Sequence, residues 1–549
     1  MYIPSSKGFI IDKEFKIMGP EIRILDNAVI YDGTGAPPFR GYVQMEGDRI
    51  VKIGRGLYSG KPGCDVLSLD DKAVLPGFID THSHSDISLM AAPDGLGKIS
   101  QGVTTEINGN CGLSPFPVTE FNREHLQNVW KNYGIKIDWN DVDGYARALE
   151  QCCPAVNSAC LCGHNTLRAA VLGYEDIPVT DRRMSDMQSL LERMLSQGAL
   201  GFSTGLLYVP GKFSNRDELT ALADILRSYD CVYSTHLRNE GDKLEEALRE
   251  AVFLAGAGSR RLEISHLKTA LERNWGKLHN VLDIIKSAQN EGIRVTADRY
   301  PYTYGQTNLS IILPPPYDRM PDSEITKKFR SDPAAAESAA KELAATANGT
   351  QWEKIILSNV PYDERLCGFT VAEAAEKLSL SPAALVVKLV TCDSNGTMAA
   401  FGGLSEENMM QIIQLDYVSC GSDESVRSSD YSLGRSHPRG FGAFPEFYRL
   451  CVQAGQTPES VIYRMTGMPA EIFGISQRGI LKEGAYADIA VLDLDKFAAK
   501  STFARPHALA SGVECVFVNG KLSYRDGVSF GRNGRFLRLQ AGAANRRKG

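Results

Sequence analysis

Two histidines one residue apart, His82 and His84, follow an apolar stretch of the sequence. Side chains of a strand alternate between its two faces, so residues two apart point the same way. Both imidazoles can therefore reach one metal ion at the end of that stretch. Two exposed histidines in a loop would give the same local pattern, so the pair indicates a metal site only if the chain supplies further ligands.

Four more residues with metal-binding or acid–base chemistry each follow a short apolar run that is typical of a strand. They are Cys111, His236, His266 and Asp423. Zinc accepts imidazole nitrogen, thiolate sulfur and carboxylate oxygen. Each residue alone could be a polar group at a strand end, but the whole set favours a Zn2+ centre. Asp423 is then the natural general base, and afterwards acid, for a water activated by the metal.

The long middle of the chain alternates short apolar runs with helical patterns, which favours parallel strands joined by crossover helices. Helices are predicted at residues 184–197 and 244–255. Eight strands in this rhythm predict an α/β fold with a TIM-type (β/α)8 barrel, whose functional groups lie at the C-terminal ends of the strands. The strands are expected at residues 73–79, 103–107, 158–162, 200–203, 232–235, 262–265, 294–297 and 417–421.

Both ends of the chain differ from the middle and contain short β-like segments broken by turn residues. We expect residues 21–75 and 476–535 to form one small β-sandwich, with a catalytic barrel of residues 76–475 between them. A Pro-rich entry followed by Ala-, Glu- and Lys-rich sequence predicts a helical insertion at 314–362. Residues 355–357 could instead be the strand that closes the barrel. An N-terminal extension, 1–20, and a C-terminal tail, 536–549, complete the chain.

Composition argues against several classes of partner. The chain has 60 Lys+Arg against 66 Asp+Glu, a net charge of −6, and no basic stripe interleaved with aromatic residues, so nucleic acid is not expected. It has no run of eighteen apolar residues and no secretion signal, which predicts a cytoplasmic protein without a membrane partner. Its twelve scattered cysteines do not suggest a disulfide framework. Cys152, Cys153, Cys160 and Cys162 are expected in the core, and the oligomeric state is left open.

Seven short motifs stand out along the chain: Gly77-Phe78-Ile79-Asp80-Thr81-His82-Ser83-His84, Gly109-Asn110-Cys111-Gly112, Thr235-His236-Leu237-Arg238-Asn239-Glu240, Ser265-His266-Leu267-Lys268, Tyr300-Pro301-Tyr302, Gly421-Ser422-Asp423 and His437-Pro438-Arg439. Through these motifs the chain, from about Ile22 to Asn519, resembles the amidohydrolase superfamily and, within it, the N-acyl-D-amino-acid deacylase (D-aminoacylase) family. Many two-metal amidohydrolases use a carboxylated lysine after the fourth strand; none is evident here, and Cys111 resembles the cysteine that this family uses instead.

The resemblance implies zinc-dependent hydrolysis of the amide bond of N-acyl-D-amino acids, with Asp423 as the catalytic carboxylate. It implies a weaker or partly occupied second metal site at His82 and His84. It implies that the tightly bound zinc is held by Cys111, His236 and His266.

The resemblance also implies that Lys268, Tyr208 and Tyr300 hold the substrate's α-carboxylate. The sequence departs from the family pattern after Tyr302, so Gln306 or Thr307 takes the place of a serine contact. After Asp423 it again departs, with Glu424 and Arg427 where smaller residues are expected.

The apolar segment 309–313 contains no arginine, so an acidic substrate side chain would leave a buried charge unpaired. We therefore expect an N-acyl-D-amino acid with a neutral or apolar side chain. A cyclic amidohydrolase of the hydantoinase or dihydroorotase kind and a non-catalytic interaction protein are the alternatives.

Two further patterns are ambiguous. Residues 201–205 match the Gly-x-Ser-x-Gly elbow of serine hydrolases, but the sequence after Ser203 is typical of a loop rather than the required helix. We therefore do not expect Ser203 to be a nucleophile. His164 follows the third predicted strand and is either an outer partner of the metal centre or a strand-end histidine.

Overall fold

The computed structural model describes residues 23–60, 65–346 and 352–539. The expected N-terminal extension, 1–20, lies outside the described residues, and so does the predicted tail from residue 540 onwards. The described chain has a mixed α/β fold with several sheets.

A nine-stranded sheet combines strands from both ends of the chain. Its two halves meet where Ala73–Pro76 pairs antiparallel with Ile489–Leu492 and parallel with Ile24–Ile30. An apolar cluster that includes Val43 and Val491 packs against it. The boundaries of the predicted sandwich stay a prediction. The remaining strands of this sheet are Phe39–Glu46, Arg49–Arg55, Val66–Ser68, Val513–Val518, Lys521–Arg525 and Val528–Ser529.

Two parallel sheets follow the central part of the chain. The first has three strands, in the order Phe78–Asp80, Val103–Asn108, Asn157–Cys160. The second has six, in the order Cys162–Gly163, Gly201–Gly205, Val232–His236, Arg261–Ile264, Arg294–Arg299, Val418–Cys420. Parallel pairing brings the carboxyl ends of these strands to one face. The ladders between described residues form two separate sheets, so the closed barrel stays a prediction.

Two of the predicted strands are each divided between two sheets. The stretch 73–79 breaks at Gly77, where a Cβ would lie 2.1 Å from Thr104 Cγ2. This close approach of backbone to side chain is open only to glycine, and the chain passes there from the nine-stranded sheet into the three-stranded one. The stretch 158–162 breaks at Leu161, whose N–H donates to Asn108 O at 2.9 Å while Leu200 N donates to Cys160 O.

Helices join the parallel strands and cover them. The helix predicted at 184–197 begins at Asp181, because the Thr180 side chain accepts from Arg183 N and caps it. The α-helices are Ser88–Ala91, Leu96–Ile99, Arg123–Val129, Val142–Gln151, His164–Leu172, Asp181–Ser196, Arg216–Ile225, Leu244–Ala257, Leu278–Asn290, Asp322–Ser331, Pro333–Thr346, Val371–Lys377, Pro382–Asp393, Glu406–Ile413, Arg439–Gln453, Pro458–Met465 and Gly467–Ile472. Among the described residues, none of them is both long and apolar enough to cross a membrane.

An antiparallel sheet accompanies the predicted insertion. Met398–Phe401 is its central strand and pairs with Gly305–Asn308 on one side and Ile355–Asn359 on the other. The suggestion that residues 355–357 close the barrel is therefore wrong, because their partner runs antiparallel and belongs to another sheet. A separate apolar cluster with Leu309, Phe329 and Val386 lies beneath these strands and the neighbouring helices.

The cysteines only partly follow expectation. Cys160 and Cys162 are fully buried, as predicted, and the described cysteines are free thiols. Cys152 is half-buried and packs against the main apolar core, whereas Cys153 is exposed, so the expectation of core packing is wrong for Cys153. Both follow the end of helix Val142–Gln151, where the chain turns at the surface with Cys153 at φ 49°.

Candidate metal centre

His82 and His84 follow strand Phe78–Asp80 and both face Asp423. His84 Nε2 lies 3.2 Å and His82 Nε2 3.5 Å from Asp423 Oδ1. The other ring nitrogen of His82 lies 3.0 Å from Asp298 Oδ2, which fixes the ring and leaves Nε2 turned toward the centre. Burial would lower the pKa of His84, but Asp423 and Cys111 raise it to about 10. A metal ion would have to displace that proton.

Cys111 follows strand Val103–Asn108 in a tight turn. Its φ is 52°, and Gly109 and Gly112 beside it also have positive φ. A Cβ at Gly112 would lie 2.6 Å from Gly205 N, so the turn requires glycine to bring the thiol inward. Cys111 Sγ lies 3.3 Å from His82 Nε2 and 3.6 Å from His266 Nε2.

The Cys111 side chain has the electrostatic environment of a thiolate. Burial would raise the pKa of the thiol, but the imidazoles of His82, His236 and His266 hold it well below its usual value. The thiolate is the form of cysteine that binds metals.

His236 and His266 come from neighbouring strands of the six-stranded sheet. His236 ends strand Val232–His236, and both of its ring nitrogens are buried without a hydrogen-bond partner among the described residues. His266 follows Arg261–Ile264, and its Nδ1 lies 3.0 Å from Glu240 Oε1. Buried polar atoms are rarely left unpartnered in native proteins. His236 Nε2 lies 3.5 Å from Glu240 Oε2 without a hydrogen bond, so this buried ring fits the role of a metal ligand.

Asp423 follows the last parallel strand, with φ 51°. Its second oxygen lies 3.0 Å from Nη1 of the buried Arg439. Burial would raise the pKa of Asp423, but Arg439 first and then His84 hold it well below its usual value. This carboxylate is therefore ionised and able to accept a proton.

The candidate ligands form three overlapping groups, each with its donor atoms within 4.8 Å of one another. His82 and His266 each belong to two of them. Nitrogen, sulfur and oxygen donors in this combination suit zinc. The groups are His82, Cys111 and His266; His82, His84 and Asp423; and His236, Glu240 and His266.

The substrate-binding residues expected from the sequence lie at different distances from this centre. Lys268 Nζ contacts His266 Nδ1 at 2.7 Å and Glu240 Oε1 at 2.6 Å. The Tyr208 and His236 rings meet edge to face, with centroids 5.0 Å apart. Tyr300 is buried, and Gln306 lies on the antiparallel sheet, where its Nε2 donates to Glu424 at 3.0 Å.

Tyr300 lies among three cations. The guanidinium carbons of Arg299 and Arg439 are 4.2 and 4.4 Å from its ring centroid. Burial would raise the pKa of the phenol, but Lys268, Arg299 and Arg439 lower it. Arg299 is fully buried and its Nε and Nη1 have no hydrogen-bond partner in the described part of the chain. This surrounding suits an anionic substrate group.

Comparison with known proteins identifies relatives of this chain. Residues 65–276 match the model of the amidohydrolase family. The chain is 31% identical to the N-acyl-D-glutamate deacylase of Alcaligenes xylosoxydans xylosoxydans, over 95% of this chain and 97% of that protein. It is 30% identical to the D-aminoacylase of the same organism, over 94% and 97%. A crystal structure of N-acyl-D-glutamate deacylase from Bordetella bronchiseptica superposes on this chain with a TM-score of 0.78 at 29% identity, covering 94% of this chain and 99% of that one. That protein is complexed with zinc and with a phosphonate inhibitor that mimics the tetrahedral intermediate of the reaction.

The chain belongs to the N-acyl-D-amino-acid deacylase family. The family expected from the motifs is thereby confirmed. Likeness to the cyclic amidohydrolases is more distant: L-hydantoinase from Arthrobacter aurescens superposes with a TM-score of 0.55 at 15% identity, covering 94% of this chain and 99% of that one, which is a likeness of fold alone.

Three residues beside the centre of this deacylase-family chain were not singled out from the sequence. Glu240 orients His266 and Lys268, Asp298 orients His82, and Arg439 pairs with Asp423. Glu240 and Arg439 stand inside the quoted motifs, so the motifs could have led to them. Asp298 directly follows the predicted strand 294–297, so the strand-end pattern could have led to it, and its position across the sheet places it beside His82.

The two ambiguous patterns have structural explanations. His164 Nε2 lies 2.8 Å from Glu218 Oε1, and Arg168 shares that carboxylate, so this histidine is apart from the three ligand groups. Ser203 is buried, donates its hydroxyl to Gly109 O and accepts from Gly112 N at 3.2 Å. Ser203 therefore fastens the turn that carries Cys111.

Proposed function

We propose that this chain hydrolyses the amide bond of N-acyl-D-amino acids to a carboxylate and a free D-amino acid, with zinc as its metal. The observation that carries the proposal is that a thiolate, four imidazoles and an ionised carboxylate supply donor atoms to three overlapping groups. The named activity of the relatives supports the same reaction.

The five ligands are proposed to be Cys111, His236, His266, His82 and His84. Zinc held there supplies Lewis-acid activation of water and of the acyl carbonyl. Asp423 takes the proton from the attacking water and returns it to the leaving nitrogen. Arg439 keeps the carboxylate ionised before that transfer. We propose tight binding on the side of Cys111, His236 and His266, with His82 and His84 forming a weaker second site.

The substrate's α-carboxylate is proposed to lie between Lys268, Tyr300 and Tyr208. Arg299, which reaches the ring of Tyr300, adds two buried donors to this pocket. Gln306 plays a different part from the serine it replaces. Its Nε2 is engaged by Glu424, and its Oε1 has no hydrogen-bond partner in the described chain, so it offers an acceptor suited to the substrate's amide N–H.

A neutral or apolar substrate side chain is proposed, and the charges of the residues near the candidate centre support it. Lys268 is paired with Glu240, Arg439 with Asp423, and Arg427 lies 3.9 Å from Glu424. Among the four described cations Lys268, Arg299, Arg427 and Arg439, Arg299 is then the one without a carboxylate partner. The α-carboxylate can pair with Arg299, and a second substrate carboxylate would find no further unpaired side-chain cation among these four, at a cost of several kcal/mol.

The two parallel sheets are proposed to form one closed (β/α)8 barrel. A single residue separates Asn157–Cys160 from Cys162–Gly163 on one side, and an isolated bridge joins Ser83 to Glu424 on the other. The sandwich of residues 21–75 and 476–535, the barrel of 76–475 and the insertion of 314–362 are proposed as units of this architecture.

The test is a panel of N-acetyl-D-leucine, N-acetyl-L-leucine, N-acetyl-D-glutamate and a hydantoin, assayed with zinc-loaded and chelated protein. We expect turnover of N-acetyl-D-leucine that disappears on chelation. Hydrolysis of only the hydantoin would favour a cyclic amidohydrolase, and a zinc-loaded protein inactive on every amide would favour a non-catalytic protein. Comparable turnover of N-acetyl-D-glutamate and N-acetyl-D-leucine would contradict the neutral side chain.

A further inference from the structure

The two segments that carry His82, His84 and Asp423 meet at a junction without a continuous ladder. In the described chain, strands Phe78–Asp80 and Val418–Cys420 belong to different sheets, and only the isolated bridge between Ser83 and Glu424 pairs the segments that follow them. Two backbone hydrogen bonds cross the junction, from Asp423 N to His82 O at 2.7 Å and from His84 N to Glu424 O at 3.4 Å. We call this junction of residues 80–85 and 420–426 the seam.

Lys98 lies in the seam and is fully buried. It belongs to the short helix Leu96–Ile99, yet its Nζ reaches both sides. On one side it donates to Asp80 Oδ2 at 2.6 Å and Ser83 Oγ at 3.2 Å. On the other it donates to Ser422 Oγ at 2.7 Å and Glu424 O at 3.0 Å. Its partners flank all three functional residues without including any of them.

Asp80 also connects the two segments of the seam, as a hydrogen-bond acceptor. Its Oδ1 accepts from His82 N at 3.2 Å and from Ser422 N at 2.9 Å, and its Oδ2 also accepts from Ser422 Oγ. Gly421 lets the two segments approach, because a Cβ there would lie 2.7 Å from His82 Cβ. Side-chain hydrogen bonds thus help to hold the two segments together at the seam, where backbone ladders hold the other neighbouring strands together.

The charges make Lys98 hard to replace. Glu106 Oε2 lies 3.3 Å from its Nζ, so one cation faces two buried carboxylates. Burial would lower the pKa of Lys98, but Asp80 and Glu106 raise it above its ordinary value, so it stays charged. An uncharged side chain at this position would leave both carboxylates without their cation.

We propose that Lys98 is a positioning residue for the reaction, holding His82 and His84 at the right distance from Asp423 across the seam. The expected change in kcat rests on the proposed function, whereas the expected change in amide hydrogen exchange rests only on the hydrogen bonds of Lys98. Its partners Asp80 and Ser422 adjoin the segments that carry the two histidines and Asp423. We therefore expect its loss to disturb proton transfer more than substrate binding.

The test compares Lys98→Met with a matched control, Arg464→Met. Arg464 is also fully buried, but it donates to Ile413 O and Val418 O, at the other end of the last parallel strand. We expect Lys98→Met to lower kcat by about 10- to 100-fold, the range known for residues that orient metal ligands, with KM nearly unchanged. The control should lose stability and keep kcat. Equal kcat in the two variants, or a loss in KM alone, would overturn the proposal.

Amide hydrogen exchange gives a readout that does not depend on turnover. We expect faster exchange in residues 80–85 and 420–426 of Lys98→Met than in Arg464→Met. Ser422→Ala removes one Lys98 contact and keeps every charge. If Lys98→Met does not fold, kcat and amide hydrogen exchange are measured on Ser422→Ala instead. Unchanged exchange in the seam would overturn the positioning role. A wild-type protein inactive on the whole substrate panel would overturn the proposed function, and the exchange result would still decide the role of Lys98.

Discussion

The two sides of the candidate centre are supported in different ways. On the sulfur side, which consists of Cys111, His236 and His266, the two histidines come from strands Val232–His236 and Arg261–Ile264, which pair directly, whereas Cys111 follows a strand of the three-stranded sheet. On the carboxylate side, which consists of His82, His84 and Asp423, the residues follow two strands that make no ladder with each other. Two backbone hydrogen bonds and a set of side-chain hydrogen bonds, among them those of Lys98 and Asp80, connect these segments instead.

We therefore expect the two sides to have different roles, one in metal binding and the other in proton transfer. The ladder between the strands of His236 and His266 should hold its geometry against the loss of a single side chain, which suits tight metal binding. A side-chain network is more easily disturbed, because every member depends on its partners. We therefore expect metal content to follow changes on the sulfur side and proton transfer to follow changes on the carboxylate side.

The largest effect is expected for Asp423→Asn. General acid–base catalysis contributes about 10²- to 10⁴-fold, so kcat should fall by that order because the amide cannot accept the proton. Steady-state kinetics together with zinc analysis checks this. Zinc content should stay near the wild-type value, and a kcat within tenfold of wild type at full zinc would exclude Asp423 as the base.

Cys111→Ala should come next and should act through the metal. Removing a ligand should cost more than the roughly 10- to 100-fold loss seen for outer partners, since no other thiolate lies within the three groups. Zinc affinity by chelator competition measures it. The double variant His82→Asn/His84→Asn should lower activity less than Cys111→Ala, and equal losses would give the two histidines the principal role.

Glu240→Gln should have an intermediate effect on the sulfur side. Glu240 Oε1 contacts both His266 Nδ1 and Lys268 Nζ, so the neutral amide weakens the orientation of one ligand and releases one cation. Zinc affinity should fall by about 10- to 100-fold. KM should rise as well, because the freed Lys268 is less well placed for the substrate carboxylate. Unchanged zinc affinity would show that His266 does not depend on this carboxylate.

The smallest effect is expected for Ser203→Ala. Its hydroxyl donates to Gly109 O and accepts from Gly112 N beside Cys111, so its loss should cost about 1 kcal/mol of stability with activity largely kept. Thermal unfolding and turnover on the same preparation check both parts. Complete loss of turnover with zinc retained would restore Ser203 as a candidate nucleophile.

The strand-end residues could be predicted from the sequence because the signal depends only on residue type and on the residues just before it. A histidine, cysteine or aspartate directly after an apolar run is visible in one dimension, and parallel pairing then brings those ends to one face. Strand breaks were not accessible in the same way. Gly77 divides one predicted strand between two sheets because of Thr104, a neighbour 27 positions away in the sequence that only folding brings close.

The sequence by itself determined the family, the kinds of metal-binding group and the strand ends that present them, since these depend on residue type and short-range order. Only the tertiary structure decided which group faces which. Arg439 beside Asp423, Asp298 beside His82 and Lys98 within the seam are contacts between residues far apart in the chain. No spacing rule encodes such contacts, because the packing of whole strands and helices sets them.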